Sequence, residues 1–350
     1  VSFTRNINED LQRRDFTVNA MAYNAEYGLV DPYGGKNDLK DKIIRCVGNP
    51  DTRFNEDALR ILRALRFASV YGFSIEENTS KSIFKNADLL KNIATERVIS
   101  EFLKLICGKD AVKILDAYRE TIAVIIPEIT VMFNFNQNNI HHSYDLWQHT
   151  LTALGTIEPN PILRMTMLLH DIGKPSVKTT DNSGQSHFQG HQLESKKIAD
   201  RILHRLRLPS DFINKTLLLI EYHDVRFNGS KKLMKKVMNV LGTDLTKQLL
   251  EVEYADISAQ SEYQREEKLG YLKTAKTHLN EIIKDNECFK LSQLDINGKD
   301  VLNLGVKEGR DVGNILDYLL MLVVDANVPN KKSILISKAK EYIYGNQINK

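Results

Sequence analysis

The sequence predicts a mainly α-helical protein of several domains that begins with a short α/β segment. A chain of 350 residues is longer than a typical single domain with one hydrophobic core. Apolar residues recur at helical spacing from about residue 55 onward, whereas short apolar runs broken by turn residues are confined to the first 50 residues. Hydrophobic residues make up 42% and charged residues 27%, which is enough to bury several cores and excludes a largely disordered chain.

Four segments follow from these patterns. Residues 1–50 are predicted to be the C-terminal part of an α/β head, with strands at 1–3 and 43–47. Residues 51–133 are predicted to form a helical neck. The amide-rich residues 134–139 are predicted to be a linker that opens a second helical domain over 134–265. Its helices are expected near 144–155, 161–170, 191–206, 211–223 and 245–264, and residues 266–350 are expected to form a helical C-terminal domain.

Composition excludes several classes of protein. No apolar run approaches the roughly 20 residues of a membrane-spanning helix. Cys46, Cys107 and Cys288 lie far apart and outside any Cys-x-x-Cys pair, which argues against a disulfide framework and against a thiolate zinc site. We therefore expect a cytoplasmic protein with reduced cysteines, no membrane and no disulfide-linked partner. The net charge of +3 by itself gives no evidence for nucleic-acid binding. The lysines between 231 and 236 are better explained by a solvated helix face than by a nucleic-acid contact.

The first candidate site is the segment 13–20. Arg13 and Arg14 precede Asp15, so two guanidinium groups stand beside one carboxylate. Arginine binds phosphate oxygens in a bidentate manner, and a carboxylate accepts a hydrogen bond from a sugar hydroxyl. A nucleoside triphosphate carries both groups, although an ordinary surface ion pair would explain the same residues.

The second candidate site is the segment 55–67. Asp57 and Arg60 are three residues apart and are expected to be neighbours on one flank of a helix. A fixed carboxylate that accepts from an exocyclic amine, beside a guanidinium that donates to a ring nitrogen, matches the edge shared by cytosine and adenine. The alternative remains open that Glu56 and Asp57 only favour a helix start while the arginines coat a solvated face.

The segments 13–20, 31–39 and 56–67 resemble, in order and spacing, three motifs of class II tRNA nucleotidyltransferases and bacterial poly(A) polymerases. The glycines at 298, 305, 309 and 313 resemble the helical C-terminal domain of the same family. The resemblance implies transfer of CMP and AMP from CTP and ATP to the 3′ end of a tRNA or another RNA, with Mg²⁺ as the cofactor. Poly(A) synthesis is the alternative within that family.

The resemblance also implies roles for individual residues. Asp15 would contact the ribose, Arg13 and Arg14 the phosphates, and Asp57 with Arg60 the base edge. The full nucleotide-binding set is expected to be Arg13, Arg14, Asp15, Asn19, Asp31, Gly35, Glu56, Asp57, Arg60 and Arg63, with Asp31 and Gly35 at the hinge of a loop that adjusts the pocket between C and A.

One feature of the family is missing from this sequence. The family holds its Mg²⁺ with an Asp-x-Asp pair upstream of the Arg-Arg-Asp motif, and no such pair precedes Arg13 here. Because the chain opens with valine inside a predicted strand, we expect residues upstream of Val1 in the natural protein. The 350 residues alone are predicted not to add nucleotides.

A third set of candidate residues lies in the second helical domain. His149, His170, Asp171, His191, His223 and Asp256 fall within or at the ends of predicted helices. The apolar run 165–169 leads directly into His170, so that a buried helix would end on two metal-competent side chains. Imidazole and carboxylate together suit a divalent cation, although each residue taken singly is explained as a helix cap or surface group.

The order of these residues resembles the HD superfamily of metal-dependent phosphohydrolases. The resemblance implies one metal held by His149, His170, Asp171 and Asp256, and a second completed by His191 and His223. His170, Asp171 and Lys174 would be the catalytic residues, with Lys174 and His142 contacting phosphate. The metal would be Mg²⁺ or a transition ion (Ni²⁺, Mn²⁺, Fe²⁺ or Zn²⁺), and the substrates 2′,3′-cyclic phosphates or phosphomonoesters. A non-catalytic RNA-binding scaffold is the remaining alternative.

Overall fold

The computed structural model describes residues 6–139, 144–306 and 309–348. The predicted strand at 1–3 and the phosphate contact assigned to His142 lie outside these residues. The described chain is mainly helical, as predicted, and it divides into two compact units. The first comprises residues 1–224 and 255–263, and the second comprises residues 225–254 and 264–350.

The first unit is built largely from short helices. They are α1 (Ile7–Gln12), α2 (Gly35–Asp41), α3 (Pro50–Glu56), α4 (Leu59–Tyr71), α5 (Glu77–Asn86), α6 (Thr95–Ile106), α7 (Ala111–Ala117), α8 (Arg119–Ala123), α9 (Leu146–Thr156), α10 (Pro161–Leu169), α11 (Lys174–Val177), α12 (His191–Arg205) and α13 (Ser210–Tyr222). Short 3₁₀ helices occupy Thr17–Asn19, Ala87–Asn92 and Pro127–Met132.

Six very short strands form three two-stranded pairs in the described first unit. The antiparallel pairs are β1 (Ala22–Asn24) with β2 (Gly28–Val30) and β5 (Thr179–Thr180) with β6 (Ser186–His187), and the parallel pair is β3 (Ile43–Ile44) with β4 (Ser74–Ile75). The strand predicted over 43–47 is therefore shorter than expected, and Cys46 forms an isolated bridge with Phe16.

The second unit is also helical. Helix α14 (Lys231–Ala259) is interrupted at Gly242, whose φ of 71° is non-helical, and its last residues belong to the first unit. The unit continues with α15 (Arg265–Lys284), a 3₁₀ turn (Leu291–Gln293), α16 (Gly298–Leu302), α17 (Arg310–Val324) and α18 (Lys332–Ile348). No helix in the described ranges is long and apolar enough to cross a membrane.

The lysines at the start of α14 take part in ion pairs rather than a free basic face. Lys235 pairs with Glu287 at 2.7 Å, and Lys236 pairs with Asp325 at 3.0 Å. These carboxylates lie 50 or more residues further along the chain, so the pairing has no local sequence signal. The lysines therefore help to join the helices of the second unit.

Helix α4 confirms the predicted helical spacing. Ile61, Leu65 and Ala68 are fully buried on one face, and the helix ends at Gly72, whose left-handed φ of 69° suits glycine. The helix does not extend back to residue 55 as the sequence suggested. Asp57 has an extended backbone between α3 and α4, and its carboxylate accepts a hydrogen bond from the Leu59 N–H at 3.1 Å. An aspartate that bonds the backbone in this way favours a helix start over a helix interior.

The amide-rich segment 134–139 belongs to the first unit and contacts its other residues. Gln137 is buried, and the side chain of Asn139 donates to the Ser186 carbonyl at 2.7 Å. The compact units divide at residue 224 rather than at 134. The division into head, neck, HD domain and C-terminal domain remains a prediction.

Candidate functional site

The Arg-Arg-Asp segment and helix α4 meet at Asp15. This buried carboxylate accepts hydrogen bonds from Arg63 Nε at 2.8 Å and from Asn19 Nδ2 at 3.1 Å, and Arg63 Nη2 lies 2.6 Å away. Three of the predicted nucleotide-binding residues are thus brought together from positions 48 residues apart. Arg14, directly before Asp15, instead forms an exposed ion pair with Asp10 at 2.8 Å.

A second contact ties the same two segments together. Arg60 donates through Nη2 to the backbone carbonyl of Arg13 at 2.8 Å and through Nη1 to Glu56 Oε2 at 2.7 Å. Asp57 instead accepts from Arg97 Nη2 at 2.9 Å. Asp57 and Arg60 are therefore each held by a different partner and do not share one helix.

Asp57 lines a pocket of about 390 Å³. Asn55, Glu56 and Arg97 line the same pocket. Sequence reasoning missed Arg97, because the residue stands 40 positions after Asp57 and belongs to another helix. A carboxylate in the lining of a pocket is suited to accept a hydrogen bond from a bound amine.

The predicted hinge residues Asp31 and Gly35 are fixed at the start of α2. The Asp31 carboxylate accepts from the backbone N–H of Gly35 at 2.7 Å and of Lys36 at 2.9 Å. A Cβ on Gly35 would lie 2.1 Å from the Thr17 carbonyl oxygen, so the helix start and the 17–19 turn touch closely. Glycine is required here for close packing, and a role in adjusting the pocket remains a prediction.

The histidines and aspartates of the second candidate site converge in the interior of the first unit. His170 follows the last residue of α10, His191 opens α12, and His223 follows the last residue of α13. The apolar residues of α10 are almost all buried, which carries its end into the interior. His149 projects from α9 and Asp256 from the end of α14.

Two groups of side chains share Asp171. Around its Oδ2, His170 Nε2 lies at 3.2 Å and His149 Nε2 at 3.4 Å, and His149 Nε2 is also 2.9 Å from Asp256 Oδ1. Around its Oδ1, His191 Nε2 lies at 3.3 Å and His223 Nε2 at 3.6 Å. One ligand atom from each member of a group lies within 4.8 Å of the others, so each group could hold a metal ion.

Backbone carbonyls orient the four imidazoles. The Nδ1 atoms of His170, His191 and His223 lie 2.7, 2.9 and 2.6 Å from the carbonyl oxygens three residues earlier, and His149 Nδ1 lies 3.3 Å from the Ala259 carbonyl. A carbonyl only accepts, so each Nδ1 carries the proton and the Nε2 of a neutral ring presents a lone pair. This arrangement is the one by which proteins fix the orientation of metal-binding histidines.

The residues fit a bound cation. His191 Nε2 and His223 Nε2 face each other at 3.1 Å, where two lone pairs repel unless a positive charge lies between them or beside them. His170 Nε2 and Asp171 Oδ1 are buried without a hydrogen-bond partner among the residues that the structure describes. Buried polar atoms of this kind are normally satisfied, and a divalent ion would satisfy them.

The electrostatics of the cluster are strongly coupled. Burial disfavours the charged form of His170, but the Asp171 and Asp256 carboxylates outweigh it and raise the pKa of His170 to about 10. Burial likewise opposes ionisation of Asp171, yet the charges of His170 and Lys174 hold its pKa well below the ordinary value. Without an ion, the carboxylates therefore stay ionised and His170 is protonated; a divalent ion would take the place of the proton on His170 Nε2.

Lys174 is the cation closest to this cluster in the described chain. Its Nζ lies 2.6 Å from Asp171 Oδ2 and donates to Gln137 Oε1 at 3.1 Å, and the ring of Phe188 lies 5.6 Å away. All three polar side chains are buried. Gln137 was missed by sequence reasoning because it belongs to the segment interpreted as a linker.

Comparison with protein families identifies the class. Residues 1–45 match the poly A polymerase head domain, residues 72–133 match a probable RNA and SrmB-binding site of polymerase A, and residues 191–339 match a putative domain 2 of tRNA nucleotidyltransferase. The fold and these matches define a nucleotidyltransferase of the poly(A) polymerase and tRNA nucleotidyltransferase type.

Individual relatives narrow the class. A CCA-adding enzyme of Ligilactobacillus salivarius is 30% identical over 98% of this chain and 74% of its own length. One from Anoxybacillus flavithermus is 50% identical over 37% of this chain, an alignment that spans only 33% of that protein. The crystal structure of the Bacillus stearothermophilus CCA-adding enzyme in complex with CTP has the same fold, with a TM-score of 0.71 at 24% identity over 100% of this chain and 78% of that one. The chain belongs to the CCA-adding enzyme family.

Proposed function

We propose that this chain takes part in maturation of the tRNA 3′ end by template-independent transfer of CMP and AMP from CTP and ATP. The observation that carries the proposal is the convergence of two distant segments: Arg63 binds Asp15, and Arg60 binds the carbonyl of Arg13. Both contacts join the predicted triphosphate and ribose residues to helix α4, which carries Arg60 and begins two residues after Asp57. The named relatives are CCA-adding enzymes, which favours CCA addition over poly(A) synthesis.

The chemistry of the pocket agrees with a preference for C and A. The Asp57 carboxylate accepts hydrogen bonds but cannot donate them. Cytosine and adenine present an amine to such an acceptor, whereas uracil and guanine present a carbonyl oxygen at the same position and would be repelled. Arg60, whose guanidinium donates to Glu56 and to the Arg13 carbonyl, is the second proposed base-reading residue. We propose that this pair selects the nucleotide and that the process takes place in the cytoplasm.

Neither group of possible metal ligands in the described residues includes Asp15 or the side chains that contact it. The side chains of Arg63 and Asn19 contact Asp15 as hydrogen-bond donors. We therefore derive no transfer step here. The 350 residues are expected to bind nucleotides without adding them to RNA.

Nucleotide binding by the purified chain tests this proposal. Isothermal titration with CTP, ATP, UTP and GTP should show tighter binding of the first two, and Asp57→Asn should reduce that preference, since the amide presents a donor as well as an acceptor. The exposed Asp244→Asn in the second unit is the control, because its carboxylate lies far along the chain from the pocket motifs. Equal affinity for all four nucleotides would refute the proposal, and incorporation of labelled AMP would refute the predicted lack of transfer.

A second function is favoured by the metal-ligand cluster. We propose that the first unit also hydrolyses 2′,3′-cyclic phosphates or phosphomonoesters at RNA ends. A bound divalent ion lowers the pKa of its water ligand and so supplies a hydroxide nucleophile. His149, His170, Asp171 and Asp256 would hold one ion and His191 with His223 a second, while Lys174 places an ammonium group beside Asp171 for a substrate phosphate.

Paired substitutions test the second function. His170→Ala with Asp171→Ala should remove both bound metal and hydrolysis of 2′,3′-cyclic AMP. His187→Ala is the matched control, since His187 pairs with Asp181 at 2.8 Å on an exposed hairpin outside the cluster. Phosphodiesterase activity that survives in the double variant would exclude this site.

A further inference from the structure

The hairpin of β5 and β6 carries two inward side chains close to the metal-ligand cluster. We propose that Ser186 and Phe188 form a substrate wall for this cluster, where Ser186 binds the phosphate and Phe188 packs against the base of a ribonucleotide 3′ end. This inference rests on the proposed phosphohydrolase function. It narrows the substrate from phosphoesters in general to phosphates that carry a nucleobase.

Strand β6 and the residue after it alternate between the interior and the solvent. Ser186 is 1% exposed and Phe188 is half-buried, whereas the side chain of His187 between them is 49% exposed. Side chains two residues apart in an extended chain point to the same side. Ser186 and Phe188 therefore share the inner face of the hairpin.

The ring of Phe188 lies beside the ammonium group of the cluster. Lys174 Nζ is 5.6 Å from the centre of this ring and 2.6 Å from Asp171 Oδ2, and Asp171 belongs to both groups of possible metal ligands. A phosphate bound by this ammonium would therefore lie close to the ring. Since one sugar separates the phosphate of a nucleotide from its base, the base can reach Phe188.

A second aromatic ring supports Phe188. The centre of the Phe135 ring lies 6.3 Å from that of Phe188 at an interplanar angle of 58°. Phe135 belongs to the amide-rich segment, which is joined to the hairpin by a hydrogen bond from the Ser186 N–H to the Asn138 carbonyl at 3.0 Å. Every nucleobase has an apolar face that packs on an aromatic side chain, so this arrangement fits a base without selecting which one.

The hydroxyl of Ser186 has unused hydrogen-bonding capacity. Its Oγ is buried and has no hydrogen-bond partner in the described part of the chain, although the Ser186 N–H and carbonyl are bonded to Asn138 and Asn139. A buried hydroxyl without a partner lowers stability, and a ligand that accepts from it would remove this cost. Phosphate oxygens are strong acceptors, so Ser186 is assigned to the phosphate.

The two side chains should affect different ligands. Packing of a base on an aromatic ring changes affinity by roughly tenfold, so loss of the Phe188 ring should weaken only ligands that carry a base. A hydrogen bond to a phosphate also contributes a factor of about ten. Loss of the Ser186 hydroxyl should therefore weaken every ligand that carries the phosphate, with or without a base.

Titration calorimetry on the chelator-treated full chain measures binding without the metal-bound nucleophile. The ligands are 2′,3′-cyclic AMP and methyl riboside 2′,3′-cyclic phosphate, which has no base. The variants are Phe188→Leu, Phe188→Tyr and Ser186→Ala. His187→Ala is the matched control, because its exposed side chain lies on the opposite side of the same strand. Hydrolysis of both ligands with Mn²⁺ provides a second measurement.

The wild type should bind 2′,3′-cyclic AMP roughly tenfold more tightly than the base-free ligand. Phe188→Leu should lose this preference, whereas Phe188→Tyr and His187→Ala should keep it. If Phe188→Leu does not fold, Phe188→Met provides the same comparison. With Mn²⁺, the preference should appear in KM and not in kcat.

Ser186→Ala should bind both ligands about tenfold more weakly than the wild type. Without ligand, this variant should melt no lower than the wild type, because it removes a buried hydroxyl that lacks a partner. A purely structural role of Ser186 would give the opposite pattern, with a lower melting temperature and unchanged affinities.

The outcomes separate the substrate wall from the proposed function. A wild type that hydrolyses 2′,3′-cyclic AMP but binds both ligands equally, or binds neither, overturns the inference and leaves the proposed function intact. A preference retained in Phe188→Leu overturns the role of the ring, and unchanged affinities in Ser186→Ala overturn the phosphate contact. A wild type that hydrolyses neither ligand with Mn²⁺ overturns the proposed phosphohydrolase function itself.

Discussion

Replacement of Asp171 by asparagine tests the metal cluster most directly, because both ligand groups share this carboxylate. Asparagine keeps the size of the side chain and removes its charge. In the wild type, a divalent ion at 100 times its dissociation constant stabilises the folded form by about 2.7 kcal/mol. For a unit of this size, each kcal/mol shifts the melting temperature by about 2–4 °C, so the ion should raise it by about 5–10 °C.

The variant loses this response and also loses stability without metal. Lys174 Nζ lies 2.6 Å from Asp171 Oδ2, and removal of one partner of a buried ion pair costs about 3–5 kcal/mol. The retained hydrogen bond to Gln137 keeps the loss toward the lower figure. The metal-free variant should therefore melt roughly 6–12 °C below the metal-free wild type.

Differential scanning calorimetry of chelator-treated protein, with and without Mn²⁺, measures both effects. Asp181→Asn is the control, because Asp181 forms an exposed pair with His187 in the same unit and is not part of either ligand group. A rise in melting temperature with Mn²⁺ that is equal in Asp171→Asn and the wild type would show that the ion binds elsewhere and would refute the assignment.

Three further results are expected. Lys174→Met should bind Mn²⁺ roughly tenfold more tightly than the wild type in titration calorimetry, because the Lys174 ammonium beside a ligand oxygen repels the ion. The control Lys178→Met should bind as the wild type does, since the Lys178 ammonium contacts a backbone carbonyl and an aromatic ring. Equal affinities of Lys174→Met and the wild type would show that the Lys174 ammonium leaves Asp171 when the ion binds. Burial raises the pKa of Cys46 to about 12, so its alkylation by iodoacetamide at pH 8 should be about 1,000-fold slower in folded protein than in urea, and equal rates would contradict its burial. Gly35→Ala should lower stability by roughly 1–3 kcal/mol in denaturant titrations, because its Cβ would clash with a backbone oxygen, and Gly270→Ala in an open helical position should raise it slightly.

Much of the helical framework around the metal cluster could be predicted from sequence. The helices expected near 161–170, 191–206 and 211–223 appear as Pro161–Leu169, His191–Arg205 and Ser210–Tyr222. Their apolar spacing is regular, and the first begins with a proline after a capping asparagine. Local signals of this kind decide where a helix begins and ends.

The helix expected over 245–264 was predicted less well. It begins at Lys231 and passes through the non-helical Gly242. Its polar first turns gave no apolar pattern, because they are stabilised by ion pairs with carboxylates that come much later in the chain. A local pattern does not reveal partners of that kind.

The candidate sites show the same limit. The contacts of Asp57 with Arg97 and of Lys174 with Gln137 depend on how separate elements pack. The spacing of these residues in the sequence does not predict either contact. The acceptors of the four imidazole Nδ1–H groups are backbone carbonyls, which every residue has. Side-chain identity predicted which residues could bind a metal, but only the folded backbone specified their tautomers.

Three of those carbonyls lie three residues before the histidine that they bind, within the same short stretch of chain. The orientation of each of these rings is therefore fixed by a nearby backbone carbonyl and does not depend on a bound ion. Loading and unloading an ion should then require little rearrangement of the protein. A centre built this way would keep the same donor geometry whether or not an ion is bound.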